Sequence, residues 1–399
     1  MKIYLSKPGI FSAAGKNAQD FWVSLINGDQ SGIKRYETFS GSTFFAARID
    51  ESGLQPSNGR FDMKIIRIEE AALRQIEDLI KKAKEKYGEK RIAVCIGSCD
   101  NGTEFSLAGH KKYFENGAFT QDYSIEMQGA DYVSTFIAEK YSLLGPVCTF
   151  STACSSSAGA IIKAAELIKS GICDAAVAGG IDIASDTTLD GFNSLEAISE
   201  NITNPFSKNR SGITLGDGAA FFVLSKDILD KSVSPVCLLG YGESCDAHHM
   251  TSPDPSGIGA EKAIERALSS AKILPEEVDY VNLHGTGTKF NDSMEAKAVS
   301  AIFGKHQVHC STTKPITGHT LGAAGALELA VCCMAIAENL GKNEAQLPPQ
   351  IWDGVFDEEM PELNFVRKNS NLDKHEIKIC LSNSFAFGGA NACLVIAAE

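Results

Sequence analysis

Hydrophobic and polar positions along the chain follow two periods in turn. Residues 92–96 and 175–178 are short, continuously apolar runs, which are typical of buried strands. Residues 68–84 and 155–169 carry apolar positions at helical spacing. Because strands alternate with helices, with glycines at the corners, the pattern indicates an α/β fold. No linker rich in Pro, Gly and Ser divides the chain, so we predict one compact body.

One arrangement of elements occurs twice. In the first half, a strand that ends at Phe150 leads through a Ser/Thr/Cys loop into a helix of Ala, Gly and Ile. In the second half, a strand over residues 307–310 leads through Ser-Thr-Thr-Lys into a Gly/Ala helix that starts at Leu321. Such small residues suit a helix layer buried between sheets, although Ala-rich helices are also common for their propensity alone. We predict two similar halves, residues 1–240 and 241–399.

Composition and charge narrow the class of protein. The 399 residues are 44% hydrophobic and 22% charged, which is ordinary for a globular enzyme and excludes disordered or collagen-like chains. The net charge of −13 argues against nucleic acid as a partner. The longest nearly apolar run, residues 323–337, contains Glu328, so we expect no membrane span. Twelve cysteines without regular spacing indicate reduced thiols, and we predict a cytoplasmic protein.

Cys154 is the candidate nucleophile among these cysteines. It lies between a predicted strand and a predicted helix, and the residues around it are small. Unpaired backbone N–H groups and the helix dipole stabilise an anion at such a position. We therefore expect a lowered pKa of the thiol and a reactive thiolate. The alternative is a buried structural cysteine, with the serines at 155–157 acting only as helix caps.

Two histidines lie in glycine-containing loops of the kind that carry chemistry. His284 follows the apolar residues 278–283, and His319 precedes the second small-residue helix. Lys314, at a strand-to-loop corner, is interpreted as a fixed positive charge, with a solvated surface lysine as the alternative. Cys154 and the two histidines lack the close spacing of zinc ligands, so we predict no metal site. For the other six histidines we predict structural or surface roles: His110, His248, His249, His306, His309 and His375.

Four motifs in this order resemble those of the β-ketoacyl-acyl-carrier-protein synthases of the elongating type I/II kind, members of the thiolase-like superfamily. They are residues 152–156 around Cys154, residues 284–288, residues 314–319 and the Gly-rich loop at 383–391. The similarity covers nearly the whole chain. It implies a thiolase-like layered αβαβα fold made of two similar halves, formed as a homodimer or as a heterodimer with a related subunit.

The resemblance also implies a reaction. Cys154 would accept an acyl chain from the phosphopantetheine thioester of an acyl carrier protein, and malonyl carrier protein would then lose its carboxylate. His284 and His319 would stabilise the enolate oxygen through imidazole N–H groups. Backbone N–H groups of Cys154 and Phe387 would hold the carbonyl oxygen of the acyl-enzyme. This is the condensation of fatty-acid biosynthesis, and it needs no resident cofactor because the carrier protein brings the phosphopantetheine.

Supporting roles follow from the same resemblance. Lys314 would balance charge and orient the His319 loop, with Glu328 as a candidate partner, and Asp292 resembles a supporting acid. Phe387 and Phe192 resemble aromatic gates of the acyl pocket, with core packing as the alternative. The candidate substrate-binding residues, for which turn stabilisation is the alternative, are Thr286, Thr288, Thr251 and Ser252. The candidate docking residues for an acidic carrier protein are Lys64 and Arg67.

Departures from the family pattern keep other functions open. Ala386 stands where the family usually has Gly, which narrows the backbone angles of the gate loop, and Lys289 stands where Pro is frequent. A specialised type II polyketide or polyene synthase with a partner subunit is therefore an alternative. A non-catalytic chain-length factor is disfavoured because it lacks the nucleophile that Cys154 supplies. A thiolase would need a second cysteine in a Cys-x-Gly turn, but Cys393 lies in a strand-like run, and the His319 motif argues against a type III synthase.

Overall fold

The computed structural model describes residues 1–57, 61–121, 123–229, 231, 234–342, 344–368, 372 and 376–399. His375 lies outside these residues. The strands are β1 Tyr4–Leu5, β2 Gly9–Ser12, β3 Lys34–Glu37, β4 Thr43–Ala47, β5 Ile92–Gly97, β6 Val147–Phe150, β7 Ala175–Asp182, β8 Leu215–Gly216, β9 Gly218–Ser225, β10 Val236–Cys245, β11 Tyr280–Asn282, β12 His309–Ser311, β13 Ile379–Phe385 and β14 Ala390–Ala398. The α-helices are α1 Ala18–Asn27, α2 Lys64–Leu73, α3 Glu77–Tyr87, α4 Thr103–Asn116, α5 Tyr132–Tyr141, α6 Ser156–Lys169, α7 Asp186–Ser194, α8 Ile258–Ala271, α9 Lys289–Phe303, α10 Lys314–Thr317 and α11 Ala324–Asn339.

The strands form two groups with the same pattern of directions. In the first group β5 pairs in parallel with β6 and β7, and β7 pairs antiparallel with β9. In the second group β11 pairs in parallel with β12 and β13, and β13 pairs antiparallel with β14. The short strand β1 joins the two groups by pairing with β9 and β10. Parallel pairs require helical crossovers, and the repeated pattern confirms the prediction of two similar halves.

Helices α6 and α11 form the central layer of the molecule. Helix α6 packs on β5 and β7, α11 packs on β13, and the two helices contact each other. Small residues allow this approach: a Cβ added at Gly325 would lie 3.0 Å from the Cβ of Ala158. Helices α2, α3 and α5 cover the outer face of the first group of strands, and α8 covers the outer face of the second. The predicted layered αβαβα fold is confirmed.

A strained turn precedes each central helix. The 3₁₀ turn Ala153–Ser155 leads into α6, and the 3₁₀ turn Leu321–Ala323 leads into α11. Ala153 and Leu321 both have a φ of 51°, a left-handed conformation that costs a residue with a Cβ about 1–2 kcal/mol. The two strained turns occupy equivalent positions in the two halves. Cys154 lies in the first turn, and His319 lies just before the second. The local repeat therefore positions two of the three candidate reactive side chains.

Some predicted boundaries differ from the observed ones. The helix predicted over residues 68–84 is two helices, α2 and α3, joined by the 3₁₀ segment Arg74–Ile76. The strand predicted over residues 175–178 continues to Asp182. Its glycines give no periodic signal but allow close packing, since a Cβ on Gly179 would lie 2.0 Å from the carbonyl oxygen of Ala220. The division at residue 240 falls inside β10 and stays a prediction.

One helical segment, Leu321–Asn339, has the length and the mean hydropathy, 1.7, of a membrane span. However, 89% of its most apolar window is buried inside the protein, because the segment contains α11 of the central layer. A helix that is apolar on all sides and enclosed by protein is a core helix.

All twelve cysteines are free thiols in the structure.

Glu69 in α2 is a buried acid without a partner. Its side chain is fully buried, and neither carboxylate oxygen has a hydrogen-bond partner among the described residues. Burial and the neighbouring Glu70 raise the pKa of Glu69 well above its ordinary value of 4.5. A carboxyl whose pKa is raised by folding stabilises the protein most at acidic pH. That stability is lost as the pH rises from 4.5 toward the pKa in the folded state.

We therefore expect Glu69→Leu to raise the free energy of unfolding at neutral pH by about 1–3 kcal/mol, because an unpartnered polar group leaves the core. Thermal denaturation at acidic and neutral pH checks this. The gain in melting temperature should be larger at neutral than at acidic pH. The control Glu85→Leu, at an exposed position of α3, should change the melting temperature little. An unchanged or lower melting temperature of Glu69→Leu at neutral pH would contradict the interpretation.

Candidate active site

Cys154, His284 and His319 converge in one buried cluster. The Nε2 atom of His319 lies 3.0 Å from the Sγ atom of Cys154. The two imidazole ring centroids are 5.4 Å apart, and the ring planes are 85° to each other. One potential ligand atom from each of the three side chains lies within 4.8 Å of the other two. Three remote parts of the chain thus contribute to one site.

Hydrogen bonds fix the position of the proton on each imidazole. The backbone N–H of Leu321 donates to Nδ1 of His319 at 3.2 Å, and the ammonium group of Lys314 donates to Nδ1 of His284 at 3.3 Å. A neutral imidazole whose Nδ1 accepts a hydrogen bond carries its proton on Nε2. Burial, aided by the charge of Lys314, holds the pKa of both histidines well below 6.5. Both rings are therefore neutral and present an Nε2–H donor, and that of His284 has no hydrogen-bond partner in the part of the chain that the structure describes.

This proton arrangement bears on metal binding. Cys154 and the two histidines are near enough to one another to hold an ion. An imidazole binds a metal through an unprotonated nitrogen, whereas both Nδ1 atoms here accept hydrogen bonds and both Nε2 atoms carry protons. The donor chemistry disfavours a metal ion, and the absence of a metal site stays a prediction.

Lys314 is buried, with 1% of its side chain exposed, so it is not a solvated surface lysine. Its Nζ contacts the carboxylate of Glu328, the predicted partner, and the carbonyl oxygen of His284. Burial raises the pKa of Glu328 to about 7, against the lowering effect of Lys314. From the resemblance we expected Lys314 to orient the His319 loop. Its side chain instead holds the ring and the backbone of His284, and only its backbone leads toward His319 through α10.

We expect Lys314→Met to lower both stability and activity. The variant leaves Glu328 buried without its counter-charge, which costs about 3–5 kcal/mol, and it removes the donor that fixes the His284 tautomer. The double variant Lys314→Met/Glu328→Gln should regain most of the stability, but the condensation rate should stay about 100-fold low. Melting temperatures and steady-state rates of the two variants check this. Recovery of activity together with stability would mean that Lys314 acts only through Glu328.

The thiol of Cys154 is harder to ionise than the sequence pattern predicts. Burial raises its pKa to about 11, although Lys314 and the backbone N–H groups of Phe387 and Cys154 oppose the shift. The prediction of a lowered pKa is therefore wrong, because the cost of desolvating a thiolate exceeds the stabilisation that these groups supply. The resting sulfur is a protonated thiol that loses its proton when it attacks.

Asp292 shapes the loop that carries His284. Its carboxylate accepts hydrogen bonds from the backbone N–H groups of Thr286 at 3.0 Å, Gly287 at 3.1 Å and Phe206 at 2.8 Å. The side chain is fully buried, and burial raises its pKa. The structure places this predicted supporting residue beneath the loop, where it orders the backbone without contacting Cys154.

Glu295 is a second carboxylate under the same loop, and the sequence pattern did not identify it. It accepts the backbone N–H groups of His284 and Gly285, both at 2.7 Å, and an amide N–H of Asn383 at 3.1 Å. Burial raises its pKa to about 7. Its spacing of three residues from Asp292 in α9 places both acids on one face of the helix. That spacing is the signal that could have identified it.

Asp182 is another buried carboxylate that the sequence pattern did not identify. It orders the backbone on the other side of the site. It accepts the backbone N–H of Gly322 at 2.6 Å, next to the strained turn at Leu321. It also accepts the backbone N–H groups of Cys99 and Asp100, both at 2.9 Å. A buried acid at the end of a strand is common in sequences, and nothing in the pattern distinguishes this one.

A cavity of about 690 Å³ connects the reactive residues with the surface. Cys154, His284 and His319 lie in its wall. The hydroxyl oxygens of Thr286 and Thr288 are 3.0 Å apart in this wall. All the substrate-binding candidates line it, namely Thr251, Ser252, Thr286, Thr288 and Phe192. The exposed residues that line it are Leu195, Glu196, Lys208, Asn209, Ser211, Lys289 and Phe290.

A second cavity of about 200 Å³, here called the acyl chamber, is lined by Cys99, Asp100, Thr103, Ala153, Cys154, Asp182, Ile183, Thr188, Phe192, Leu321 and Phe387. Cys154, Phe192 and Phe387 line both cavities and therefore lie at their boundary. The two phenyl ring centroids are 5.8 Å apart. Phe192 and Phe387 therefore lie at the boundary between the two cavities, where aromatic gates of the acyl pocket are expected.

The gate loop at residues 386–389 is not strained at its unusual residue. Ala386 has a φ of −106°, which is open to every residue type. The positive φ angles fall on Gly388 and Gly389, at 83° and 77°. The N–H of Gly388 donates to the carbonyl oxygen of Met250 at 2.8 Å. The methyl group of Ala386 therefore causes no backbone strain in this conformation.

The structure contradicts the prediction that Lys64 and Arg67 form a docking site. Lys64 is buried, and its Nζ lies 2.8 Å from the buried carboxylate of Asp217. Arg67 is bound to Asp62 at 2.6 Å and to Glu51 at 3.2 Å. A buried acid requires a counter-charge, and Lys64 supplies it from the first turn of α2. Neither cation is available to a partner.

A buried thiol faced by two neutral imidazole donors, at the boundary of two cavities, defines an enzyme that transfers acyl groups through a cysteine. The chain belongs to the β-ketoacyl synthase family. It matches "Beta-ketoacyl synthase, N-terminal domain" over residues 9–227 and "Beta-ketoacyl synthase, C-terminal domain" over residues 236–347. The family inferred from the four motifs is thereby confirmed.

Individual relatives are similar over their whole length. The 3-oxoacyl-[acyl-carrier-protein] synthase 2 of Coxiella burnetii is 32% identical over 99% of this chain and 98% of its own. A solved ketosynthase (ApeO) in complex with its chain length factor (ApeC), from Xenorhabdus doucetiae, superposes with a TM-score of 0.91 at 36% identity. The match covers 100% of this chain and 98% of that one. The ishigamide ketosynthase/chain length factor superposes with a TM-score of 0.87 at 26% identity, over 100% and 99% of the two chains.

Proposed function

We propose that this protein is a β-ketoacyl-acyl-carrier-protein synthase, which joins a Cys154-bound acyl chain to malonyl-acyl-carrier protein with loss of CO₂. The observation that carries the proposal is the Nε2–H of His284, a buried donor beside the thiol of Cys154 for which the described residues offer no hydrogen-bond partner. Buried donors are nearly always satisfied. An orphan donor that faces a cavity is suited to an oxygen that becomes negative during a reaction.

The first step is the transfer of the acyl chain. The sulfur of Cys154 attacks the thioester carbonyl of the incoming acyl carrier protein, and the backbone N–H groups of Cys154 and Phe387 hold the oxygen as it becomes negative. The carbonyl re-forms, the bond to the pantetheine sulfur breaks, and the pantetheine thiol leaves with the proton of Cys154. The acyl chain then occupies the acyl chamber, beyond Phe192.

The second step uses the two imidazoles. Malonyl-acyl-carrier protein loses CO₂, and the electrons of the broken carbon–carbon bond move onto the thioester oxygen as an enolate. The Nε2–H groups of His284 and His319 stabilise this oxygen without giving up their protons, because both rings are neutral donors. The enolate carbon attacks the carbonyl of acyl-Cys154, and the carbon–sulfur bond breaks with its electrons moving to the sulfur. The sulfur takes up a proton from solvent to restore the thiol, and a 3-oxoacyl thioester leaves with the carrier protein.

The larger cavity would hold the pantetheine arm of the carrier protein. Its depth and the hydroxyl groups of Thr286 and Thr288 support this proposal, as do Thr251 and Ser252 near the mouth. No cofactor of the enzyme's own is needed, because the substrate brings the phosphopantetheine. With Lys64 and Arg67 excluded, the exposed cations at the mouth, Lys208 and Lys289, become the docking candidates for an acidic carrier protein.

A second subunit is part of the proposal. Strand β6 lies at the edge of its sheet, and among the described strands it pairs only with β5. An open edge is a template for another strand. The segment between β5 and α5 exposes large apolar side chains, of which Phe114 is 82% exposed. We propose a cytoplasmic dimer, either of two copies or with a related subunit.

A ketosynthase of a specialised type II polyketide or polyene pathway is the second candidate. The 36% identity to a ketosynthase solved with its chain length factor favours it. A non-catalytic chain-length-factor-like role has no such support, because Cys154 and both histidines are present and assembled.

Acyl loading followed by condensation tests the proposal. The purified chain, alone and co-expressed with a related partner subunit, is mixed with acyl carrier proteins that bear saturated or conjugated unsaturated chains. Intact mass should show one acyl group per chain, and added malonyl carrier protein should convert it to 3-oxoacyl carrier protein with release of CO₂. The preferred chain type distinguishes the two pathways. No acylation under any of these conditions would overturn the proposal.

A further inference from the structure

The acyl chamber is closed by the first turns of two helices that come from separate parts of the chain. Thr103 lies in the first turn of α4, and Thr188 and Phe192 lie in α7. The hydroxyl of Thr103 donates to Ser185 at 3.1 Å, and the Ser185 hydroxyl oxygen lies 2.7 Å from that of Thr188. The size of the chamber therefore depends on the separation of the two helix ends.

Arg48, just after β4, joins these helix ends from outside the chamber. One terminal nitrogen of its guanidinium group lies 2.8 Å from Glu104 in the first turn of α4. The other lies 3.0 Å from Asp186, the first residue of α7. Only 15% of the Arg48 side chain is exposed, so water screens these ion pairs less than surface pairs. The planar guanidinium fork directs its two terminal nitrogens at the two carboxylates in a fixed geometry, which the point charge of a lysine ammonium does not supply.

Other contacts hold Arg48 in this position. Its guanidinium carbon lies 4.0 Å from the ring centroid of Tyr36, whose hydroxyl donates to Asp186 at 2.7 Å. The backbone N–H of Phe39 donates to the other oxygen of Asp186 at 2.8 Å. The strand pair β3–β4 therefore fixes α7, and Arg48 extends the connection to Glu104 of α4. Loss of this cation removes the positive charge that Glu104 and Asp186 share and leaves Lys64 as a further cation that acts on Glu104.

We propose that Arg48 is a positioning residue that sets the longest acyl chain Cys154 accepts, because it fixes the separation of α4 and α7. This inference rests on the proposed function. The chamber is a bounded space of about 200 Å³, closed on one side by the ends of α4 and α7. Short acyl chains fit that space, and longer chains fit only when the two helix ends separate.

A chain-length profile tests the proposal. The full-length wild type, Arg48→Met and the matched control Arg35→Met are mixed with carrier proteins that bear saturated chains of graded length. Initial acylation rates are measured by intact mass. Arg35 is an exposed arginine of β3 that lies over the ring of Phe45. Because one extra methylene in a pocket changes selectivity about 10-fold or more, the long-to-short rate ratio should rise about tenfold in Arg48→Met and stay unchanged in Arg35→Met.

Two further variants decide between positioning and mere structural support. Arg48→Lys, which keeps the positive charge but lacks the rigid fork, should give an intermediate ratio. Equal loss of rate at all chain lengths would overturn the proposal. If Arg48→Met does not fold, Glu104→Gln decides, because Glu104 is 30% exposed and its loss frees only α4. An unchanged ratio in Glu104→Gln would then overturn the proposal, whereas absence of acylation in the wild type would contradict the proposed function itself.

Discussion

Cys154→Ala is expected to lower the condensation rate by at least about 10⁴-fold and to leave no acyl group on the chain after incubation with acyl carrier protein. The reason is geometric. The sulfur of Cys154 lies 3.0 Å from an imidazole nitrogen, and the backbone N–H groups of Phe387 and Cys154 lower the pKa of this thiol. Alanine fits the same turn, so the melting temperature should change little. Steady-state kinetics and intact mass check the loss.

The matched control for this variant is Cys237→Ala, which removes a buried thiol at the start of β10 and should keep both activities. The raised pKa adds a second readout. Because the thiolate fraction of a thiol with a pKa of about 11 rises with pH throughout the neutral range, alkylation of Cys154 should accelerate steadily from neutral to alkaline pH. A plateau near neutral pH would contradict the raised pKa of Cys154, and normal acyl loading of Cys154→Ala would refute its assignment as the nucleophile.

Loss of either imidazole has the second largest expected effect. His319→Ala and His284→Ala should each lower condensation by about 10²–10³-fold, because each removes one donor to the enolate oxygen. Acyl transfer to Cys154 should fall less, since backbone N–H groups hold the oxygen in that step. Separate assays of acyl loading and of malonyl decarboxylation measure the two steps.

His110→Ala is the control, because that ring is exposed on α4 and contacts Phe119 and Tyr123. It should leave both steps unchanged. Equal losses of acyl transfer and condensation in His319→Ala would count against its role at the enolate. A bell-shaped dependence on the ionisation of His284 or His319 near neutral pH would contradict neutral imidazole donors.

Much of the fold follows from local sequence patterns. The strands β5 and β6 and the helix α6 appear close to where hydrophobic periodicity places them, and the repeat of a strand, a small-residue loop and a helix predicted two similar halves. The break between α2 and α3 is different. It occurs in a segment of uninterrupted helical periodicity, and only packing against the rest of the core shows where the helix ends.

The site could be predicted in part for a similar reason. Glycine-rich loops and a cysteine before a helix are local features, so Cys154, His284 and His319 were identifiable. Burial is a property of the whole fold, and each error comes from it. The pKa of Cys154 rises because the fold encloses it, and Lys64 is bound to Asp217 from a distant loop. The one local signal for Glu295 is its spacing of three residues from Asp292 in α9.

The most direct test of the account is to locate the acyl group on the wild-type chain. The protein is incubated with acyl carrier protein, digested and analysed by tandem mass spectrometry, before and after addition of malonyl carrier protein. The account predicts an acyl group on Cys154 that disappears when malonyl carrier protein is added. An acyl group on another cysteine, or one on Cys154 that malonyl carrier protein does not remove, would contradict it.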